Sequence, residues 1–240
     1  IMRQMSNIAT VDQIREVLDG TGVQVTDPRN GLIFPRINLN LAITQGRVVL
    51  NAPSGAIGTT TPTFTWQASA NTTWYQLLIY SGTNQVFSGW YTAINAGCNG
   101  GGTCTVTFNT PLTSSPGTFT WYVQAWSEAF TGTNIGLPIG PTTFTLQSAS
   151  LQAPSGVVTN VEARPTYQWS SVANATNYRL YVSQGSTIIV DQWVACALAT
   201  CTHQPTIQLN NGTYNWWILA WGPTGYSPWS ASGSFVVNAA

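Results

Sequence analysis

The stretch GTFTWYVQAW at residues 117–126 returns as GTYNWWILAW at residues 212–221. In both copies an apolar residue occupies every second position, as in Phe119, Trp121 and Val123 of the first copy. A period of two with aromatic and β-branched side chains predicts a half-buried β-strand. The recurrence of one strand therefore points to two copies of a larger unit.

Three further pairs of segments match in the same order around these strands. They are APSG at 52–55 and 153–156, PTFTW at 62–66 with PTYQW at 165–169, and YQLLIY at 75–80 with YRLYVS at 178–183. The offset between copies is about 100 residues, which is too long for a solenoid repeat and matches one complete β-sandwich domain.

Several of these residues resemble the fibronectin type III family. An early strand ends at Trp66 or Trp169, and the next opens with Tyr75 or Tyr178. LNNGTY at 209–214 is similar to the family's Leu-x-x-Gly-Thr-Tyr corner, and SPWS at 227–230 with FVV at 235–237 is similar to its last strand. The resemblance implies an all-β fold of two tandem immunoglobulin-like β-sandwiches. We expect a first module at residues 51–147 and a second at 148–240.

Residues 1–50 form a different segment. Thr10 to Gly20 has the pattern of a short capped helix, and extended strands follow it. An apolar candidate assembly strand alternates with polar positions at Ile37, Leu39, Leu41 and Ile43. Because such a segment is too small to bury a core alone, it must cover its own module, add a strand to a neighbouring copy, or belong to a larger domain.

Charge is scarce throughout the chain. Charged residues make up 6% of it, with seven arginines, no lysine and seven acids, and most of these lie before Val48. About 25% is usual. A surface of Thr, Ser, Asn, Gln and Gly offers no basic patch for nucleic acid. The sequence contains no apolar run long enough for a transmembrane helix, so we expect no membrane insertion.

The titratable residues after Val48 do not suggest catalysis. His203 is the only histidine, and nothing in the sequence brings two carboxylates together. A metal site at Cys196, Cys201 and His203 would lack ligands, and the first repeat has no histidine beside Cys98 and Cys104. We therefore expect no cofactor, no metal and no enzyme activity.

The four cysteines occupy equivalent places in the two repeats. This placement predicts two short disulfides, Cys98 with Cys104 and Cys196 with Cys201, and reduced thiols are the alternative. Asn-x-Ser/Thr patterns mark three possible glycosylation sites, Asn71, Asn174 and Asn211, although this motif is common by chance in a Thr-rich chain.

Strand alternation also predicts aromatic side chains on the faces directed away from the cores. They are Tyr80, Tyr122, Trp126, Tyr181, Trp217 and Trp221. An outward aromatic stripe suits stacking on sugar rings or a protein interface. The alternative is burial under the segments around Trp90 and Trp193 or under the N-terminal hairpin.

Two functions follow as hypotheses. The first is a non-catalytic, extracellular or cell-surface structural or adhesive subunit of an assembly such as a filament, self-associating through its N-terminal segment. The second is a secreted carbohydrate-binding accessory module whose outward Trp and Tyr side chains contact a glycan.

Overall fold

The computed structural model describes residues 23–36, 48–69, 72–113, 115–126, 138–159 and 163–239. Every regular element within these ranges is a β-strand, so the predicted all-β class is confirmed. The helix predicted between Thr10 and Gly20 lies outside the described residues. No described segment forms a helix of the length and apolarity that a membrane span requires.

The N-terminal part contributes one antiparallel hairpin of β1 (Val23–Thr26) and β2 (Ile33–Arg36). Its loop is held by Asp27, whose main-chain oxygen accepts the Gly31 N–H at 2.8 Å. Among the described strands, β1 and β2 pair only with each other.

The first repeat supplies the next eight strands in chain order. They are β3 (Val49–Ala52), β4 (Gly55–Ile57), β5 (Thr63–Gln67), β6 (Trp74–Ser81), β7 (Asn84–Thr92), β8 (Thr103–Thr107), β9 (Gly117–Trp126) and β10 (Ile139–Leu146). One sheet has the order β3-β5-β8 and the other β4-β10-β9-β6-β7. Rings from the two sheets meet edge to face, with Phe64 5.1 Å from Trp121 and Trp66 5.4 Å from Tyr75.

The second repeat builds the same arrangement. Its strands are β11 (Leu151–Ala153), β12 (Gly156–Val158), β13 (Tyr167–Ser170), β14 (Asn177–Gln184), β15 (Thr187–Ala195), β16 (Thr200–His203), β17 (Gly212–Gly222), β18 (Gly225–Trp229) and β19 (Gly233–Val237). The sheets have the orders β11-β13-β16 and β12-β19-β17-β14-β15, and β18 also pairs with β17. Tyr167 lies 5.1 Å from Trp216 across the core. Facing sheets with a shared aromatic core make each repeat a β-sandwich.

A proline divides the first strand of each sandwich. β3 pairs antiparallel with β5, and after Pro53 the chain changes sheet, so that β4 pairs parallel with β10. Pro154 does the same between β11 and β12. Since proline has no N–H to give to a ladder, it suits the point at which the strand leaves one sheet for the other.

Tight turns place the outer strands of the large sheets. β6 and β7 are joined by Gly82-Thr83, and β14 and β15 by Gly185-Ser186. Gly82 and Gly185 have φ angles of 60° and 57°. A two-residue hairpin loop needs this left-handed conformation, which glycine adopts without steric cost.

By its packing the chain forms two compact units. The first unit consists of the described residues within 1–54, 63–107 and 119–143. The second consists of those within 55–62, 108–118 and 144–240. The core of the second unit is continuous and includes Trp169, Leu180 and Ile218, all fully buried. The module limits predicted after residues 50 and 147 remain predictions.

Candidate functional site

The long central strands present alternate side chains to opposite faces. On β14, Tyr178, Leu180 and Val182 are fully buried, while Arg179 and Tyr181 lie on the face directed away from the core. The six aromatics predicted to face outward all occupy such outer positions and are partly exposed: Tyr80, Tyr122, Trp126, Tyr181, Trp217 and Trp221. Their predicted part in binding remains a prediction.

The outer face of β15-β14-β17-β18 carries the largest group of such rings, and we call it the aromatic face. Cross-strand pairing brings its side chains together in three rows. The rows are Trp193–Arg179–Leu219–Trp229, Asp191–Tyr181–Trp217 and Ala195–Asn177–Trp221–Tyr226. Directly opposed residues share one face of a sheet, so all these side chains lie on the same side.

Four rings of the aromatic face are accessible. Trp193 is 48% exposed, Tyr226 50%, Trp229 39% and Trp221 38%. By contrast, the core tryptophan Trp169 is fully buried, as the repeat pattern predicted, and so is its counterpart Trp66. The alternative, in which the outward rings are buried under the segments around Trp90 and Trp193 or under the N-terminal hairpin, stays a prediction. Concentrated exposed aromatic surface is a feature of binding sites.

Ring contacts join these side chains into two groups. The ring of Tyr181 lies 5.9 Å from that of Trp217 and 6.1 Å from that of Trp229, both edge to face. Trp193 and Tyr226 lie 6.3 Å apart with their planes tilted by 45°. These are favourable aromatic geometries, which restrict the rotamers of exposed rings.

An ion pair crosses the middle of the face. Arg179 Nε and Nη2 donate to the two carboxylate oxygens of Asp191 at 2.6 and 2.7 Å. The guanidinium carbon also lies 6.0 Å from the centre of the Trp229 ring. The hydrogen bond from Arg179 holds the pKa of the Asp191 carboxyl below its ordinary value. Because the pair is about one-third exposed, it contributes little to stability. Its main effect is to fix the orientation of the Arg179 and Asp191 side chains.

Hydrogen bonds of the second unit fix the turn that carries Tyr226. Thr59 Oγ1 donates to the carbonyl of Thr224 at 2.8 Å, and the Thr60 N–H donates to the carbonyl of Tyr226 at 2.8 Å. A side chain added at Gly225 would press on Thr59 Oγ1. The turn between β17 and β18 is therefore held by residues 59–60 as well as by the ladder of β18 with β17.

The equivalent face of the first repeat lacks the ion pair. Gln76 and Ser88 occupy the positions of Arg179 and Asp191, and Gln76 Nε2 donates to Ser88 Oγ at 3.0 Å. Trp90, 42% exposed, occupies the position of Trp193. The remaining substitutions place Leu78 at the position of Tyr181, Tyr122 at that of Trp217 and Gln124 at that of Leu219. The charge pair and the Tyr181 contacts thus belong to the second repeat.

Both predicted disulfides are present, Cys98–Cys104 and Cys196–Cys201. Each ties the loop after the outer hairpin to a strand of the small sheet, in which Cys104 pairs with Trp66 and Cys201 with Trp169. Among the described residues no cysteine is free. Because the sulfurs of Cys196 and Cys201 are bonded to each other, they are not thiolates that could bind a metal.

His203 lies beside the second disulfide and contacts the amide of Gln192. Gln192 Nε2 and His203 Nε2 form a hydrogen bond, in which the histidine tautomer decides the donor and the acceptor. Burial lowers the pKa of the imidazole. Within the described ranges no three His, Cys, Asp or Glu side chains gather as a metal site.

Two of the three possible glycosylation sites lie within the described residues. Asn174 is exposed in a turn. The amide of Asn211 donates to the carbonyl of Ala239 at 3.1 Å, and its oxygen accepts the Ala239 N–H at 2.8 Å. Asn71 lies outside the described residues, as does the candidate assembly strand Ile37, Leu39, Leu41 and Ile43.

The hairpin β1–β2 exposes apolar side chains. Leu32 is 55% exposed, Ile33 63%, Phe34 53% and Val25 41%. Two of its three charges form an ion pair, in which Arg29 Nη2 contacts an Asp27 carboxylate oxygen at 3.0 Å, and the third charge is Arg36 at the end of β2. Sequence analysis pointed to an apolar face further along the chain, and did not identify these residues.

The known proteins that this chain is similar to are solved structures. No protein-family model matches the sequence, and no curated protein is similar to it. The FN1–FN3 domains of chicken CNTN1 share 12% identity over 78% of this chain and 63% of that one, with a TM-score of 0.32. The fibronectin(III)-like modules of Clostridium thermocellum CbhA share 12% over 80% and 94%, with a TM-score of 0.27. The chain spans less than two thirds of the CNTN1 fragment.

These neighbours are fibronectin type III-like domains, the kind of module that the sequence resemblance implied. With TM-scores this low, the assignment of two sandwiches depends on the strand orders and the aromatic cores described above.

Proposed function

We propose that the protein is a non-catalytic, extracellular structural or adhesive subunit of a cell-surface assembly, in which the N-terminal segment mediates contacts between copies. The observation that carries this proposal is the apolar surface of the hairpin β1–β2, with Leu32, Ile33 and Phe34 each more than half exposed. Exposed apolar clusters on otherwise polar proteins favour association.

The physical argument starts from the stability of a lone hairpin. Two strands without a third or a packed helix are marginal in water. Among the described residues β1 and β2 have no other strand partner. Cover from a neighbouring copy would stabilise both the hairpin and the assembly. A head-to-tail contact of this kind grows into a filament unless its rotation closes a ring.

The scarcity of charge favours the same function. The two repeats carry only five of the fourteen charged residues, so a neighbouring copy can cover their surface at little cost in unpaired charge. Within the hairpin, Asp27 and Arg29 form an ion pair.

Two features support an extracellular, non-catalytic protein. Disulfides persist in oxidising compartments, and both cysteine pairs are bridged. Of the acids that the structure describes, Asp27 and Asp191 are each paired with an arginine, and His203 Nε2 is engaged with Gln192 Nε2. Such groups are not poised as an acid–base pair.

Light scattering on the full chain and three variants tests the proposal. The full chain is expected to associate, and a variant lacking residues 1–47, which keeps Val48 and β3 whole, is expected to be a folded monomer. The double variant Ile33→Ser, Phe34→Ser should also lose association. As a matched control, Ile188→Ser changes an equally exposed residue of β15 and should leave association intact. A full-length chain that is a stable monomer would contradict the proposal.

A second candidate function is carbohydrate binding, and the aromatic face is the observation that favours it. Its exposed rings lie beside hydrogen-bonding groups on one sheet surface. This function is compatible with the first, because the aromatic face and the hairpin β1–β2 share no residue.

A further inference from the structure

We infer that the aromatic face of the second repeat is a binding site for neutral glycan chains, and that the equivalent face of the first repeat is not. This inference rests on the second candidate function and specifies the site, the ligand class and the repeat. It is independent of assembly through the N-terminal hairpin.

The first argument is the match between the face and a pyranose ring. A sugar ring carries axial C–H groups on its flat sides and hydroxyl groups around its rim. Trp193 and Trp229, 48% and 39% exposed, offer flat apolar surface to such C–H groups. Arg179 lies opposite Trp193 in the central row of the face.

The second argument is the hydrogen-bonding capacity beside the rings. Arg179 has five N–H donors, and the bonds to Asp191 engage Nε and Nη2. Asp191 has two oxygens with lone pairs beyond those that Arg179 occupies. Because both groups are about one-third exposed, a glycan hydroxyl could donate to the carboxylate while another accepts from the guanidinium.

The paired charges of the aromatic face favour a neutral glycan over an acidic one. Arg179 and Asp191 are the charged side chains of the aromatic face, and each already has the other as its partner. An acidic glycan would have to compete with Asp191 for the arginine, and would bring its own charge close to that carboxylate. A neutral glycan meets donors and acceptors without this penalty. Its binding should therefore depend little on salt.

The face is also organised before binding. Asp191 holds Arg179 from one edge, and the Trp229 ring lies 6.0 Å from the guanidinium carbon. Hydrogen bonds from Thr59 and Thr60 fix the turn before Tyr226. Groups that are already ordered lose less conformational entropy when a ligand binds, which favours affinity.

The first repeat offers an internal comparison. It keeps an exposed ring at Trp90 but has Gln76 and Ser88 in place of the ion pair, and Leu78 in place of Tyr181. A second copy of this protein is the other occupant to consider for the aromatic face. The mixture of exposed rings with a solvent-accessible ion pair favours a hydroxyl-rich ligand, and the experiment distinguishes the two.

The test uses the full chain on an array of printed neutral and acidic glycans, followed by titration with the neutral glycan that binds best. Trp193→Ala and Trp229→Ala should each weaken binding by about tenfold or more, equivalent to about 1.4 kcal/mol. Trp90→Ala removes the equivalent ring of the first repeat and should change affinity by less than about twofold, well below that tenfold step. Trp193→Tyr keeps a ring and should retain more affinity than Trp193→Ala.

Circular dichroism confirms that each variant is folded, and light scattering on the same samples separates this inference from self-assembly. Unchanged association with lost glycan binding supports it. Binding to no neutral glycan overturns it, as does binding only to acidic glycans or equal loss in Trp90→Ala. Loss of association in Trp193→Ala and Trp229→Ala would identify the face as a contact between copies instead. If the hairpin variants fail to change association, the assembly proposal falls while this inference stands.

Discussion

Two buried tryptophans of the first repeat differ in one hydrogen bond, and this difference predicts unequal costs for the same substitution. Trp121 Nε1 donates to the carbonyl of Pro53 at 3.0 Å. The indole N–H of Trp66 has no hydrogen-bond partner within the described residues. Both side chains are fully buried, so Trp→Phe removes the same atoms from equally dry sites.

The magnitude follows from the hydrogen bond. At Trp121 the substitution leaves the Pro53 carbonyl without its indole donor, at a cost of about 1–3 kcal/mol. At Trp66 it removes a donor whose unpaired burial was already unfavourable. The cost of lost ring volume is similar at both sites. Trp121→Phe should therefore destabilise the protein by about 2 kcal/mol more than Trp66→Phe.

Urea unfolding followed by far-UV circular dichroism measures the difference without relying on tryptophan fluorescence. Equal m-values in the two variants would show that the same surface unfolds. The second repeat provides a replicate, because Trp216 Nε1 donates to the carbonyl of Pro154 at 3.3 Å and the Trp169 indole has no such partner among the described residues. An equal cost at both sites, or a larger one at Trp66, would refute the reasoning.

Three further predictions concern stability. Trp66→Ala or Trp169→Ala should cost about 3–5 kcal/mol in urea unfolding, as large core truncations do, and a loss below about 1 kcal/mol with an intact fold would contradict their place in the core. Peptide mapping without reduction should recover both disulfides, and removing either by Cys→Ser should cost about 2 kcal/mol, because each closes a short loop; free thiols would count against them. Burial lowers the folded-state pKa of His203 below 6.5, so the unfolded chain binds the proton more readily and stability should fall as pH drops from about 6.5 towards that lowered pKa. His203→Gln should flatten this part of the urea-midpoint profile between pH 7.5 and 4.5, and an unchanged slope would exclude His203 as its source.

The fold was largely predictable because both repeats follow local rules. Alternation in residues 117–126 and 212–221 identified β9 and β17 and assigned Trp121 and Trp216 to the cores. The division of each first strand was not predicted. Pro53 and Pro154 were visible in the sequence, but the parallel pairing of β4 with β10 depends on contacts between distant residues.

The last strand of the second sandwich shows a similar limit. The family resemblance placed residues 227–230 and 235–237 in one strand, whereas the structure has β18 and β19 beside different parts of β17. This interruption is what brings Tyr226 and Trp229 to the aromatic face.

The candidate site was only partly predictable. Period-two alternation placed Tyr181, Trp217 and Trp221 on the outer face. The pairing of Arg179 with Asp191 needed the hairpin register, which local composition does not determine. The sequence nevertheless contained an indication of this pair. Arg179 and Asp191 lie on neighbouring strands in a region with few charges, and opposite charges on neighbouring strands favour pairing.

The central claim is that the N-terminal hairpin contacts another copy of the chain, and photo-crosslinking from position 34 tests it most directly. Phe34 is 53% exposed, so a benzophenone amino acid there should not disturb a core. The experiment mixes equal amounts of normal and ¹⁵N-labelled full-length chain before irradiation. We predict crosslinked peptides that combine one isotope from each chain, together with a ladder of covalent oligomers. Crosslinks confined to peptides of a single isotope, with only monomer on the gel, would contradict the account.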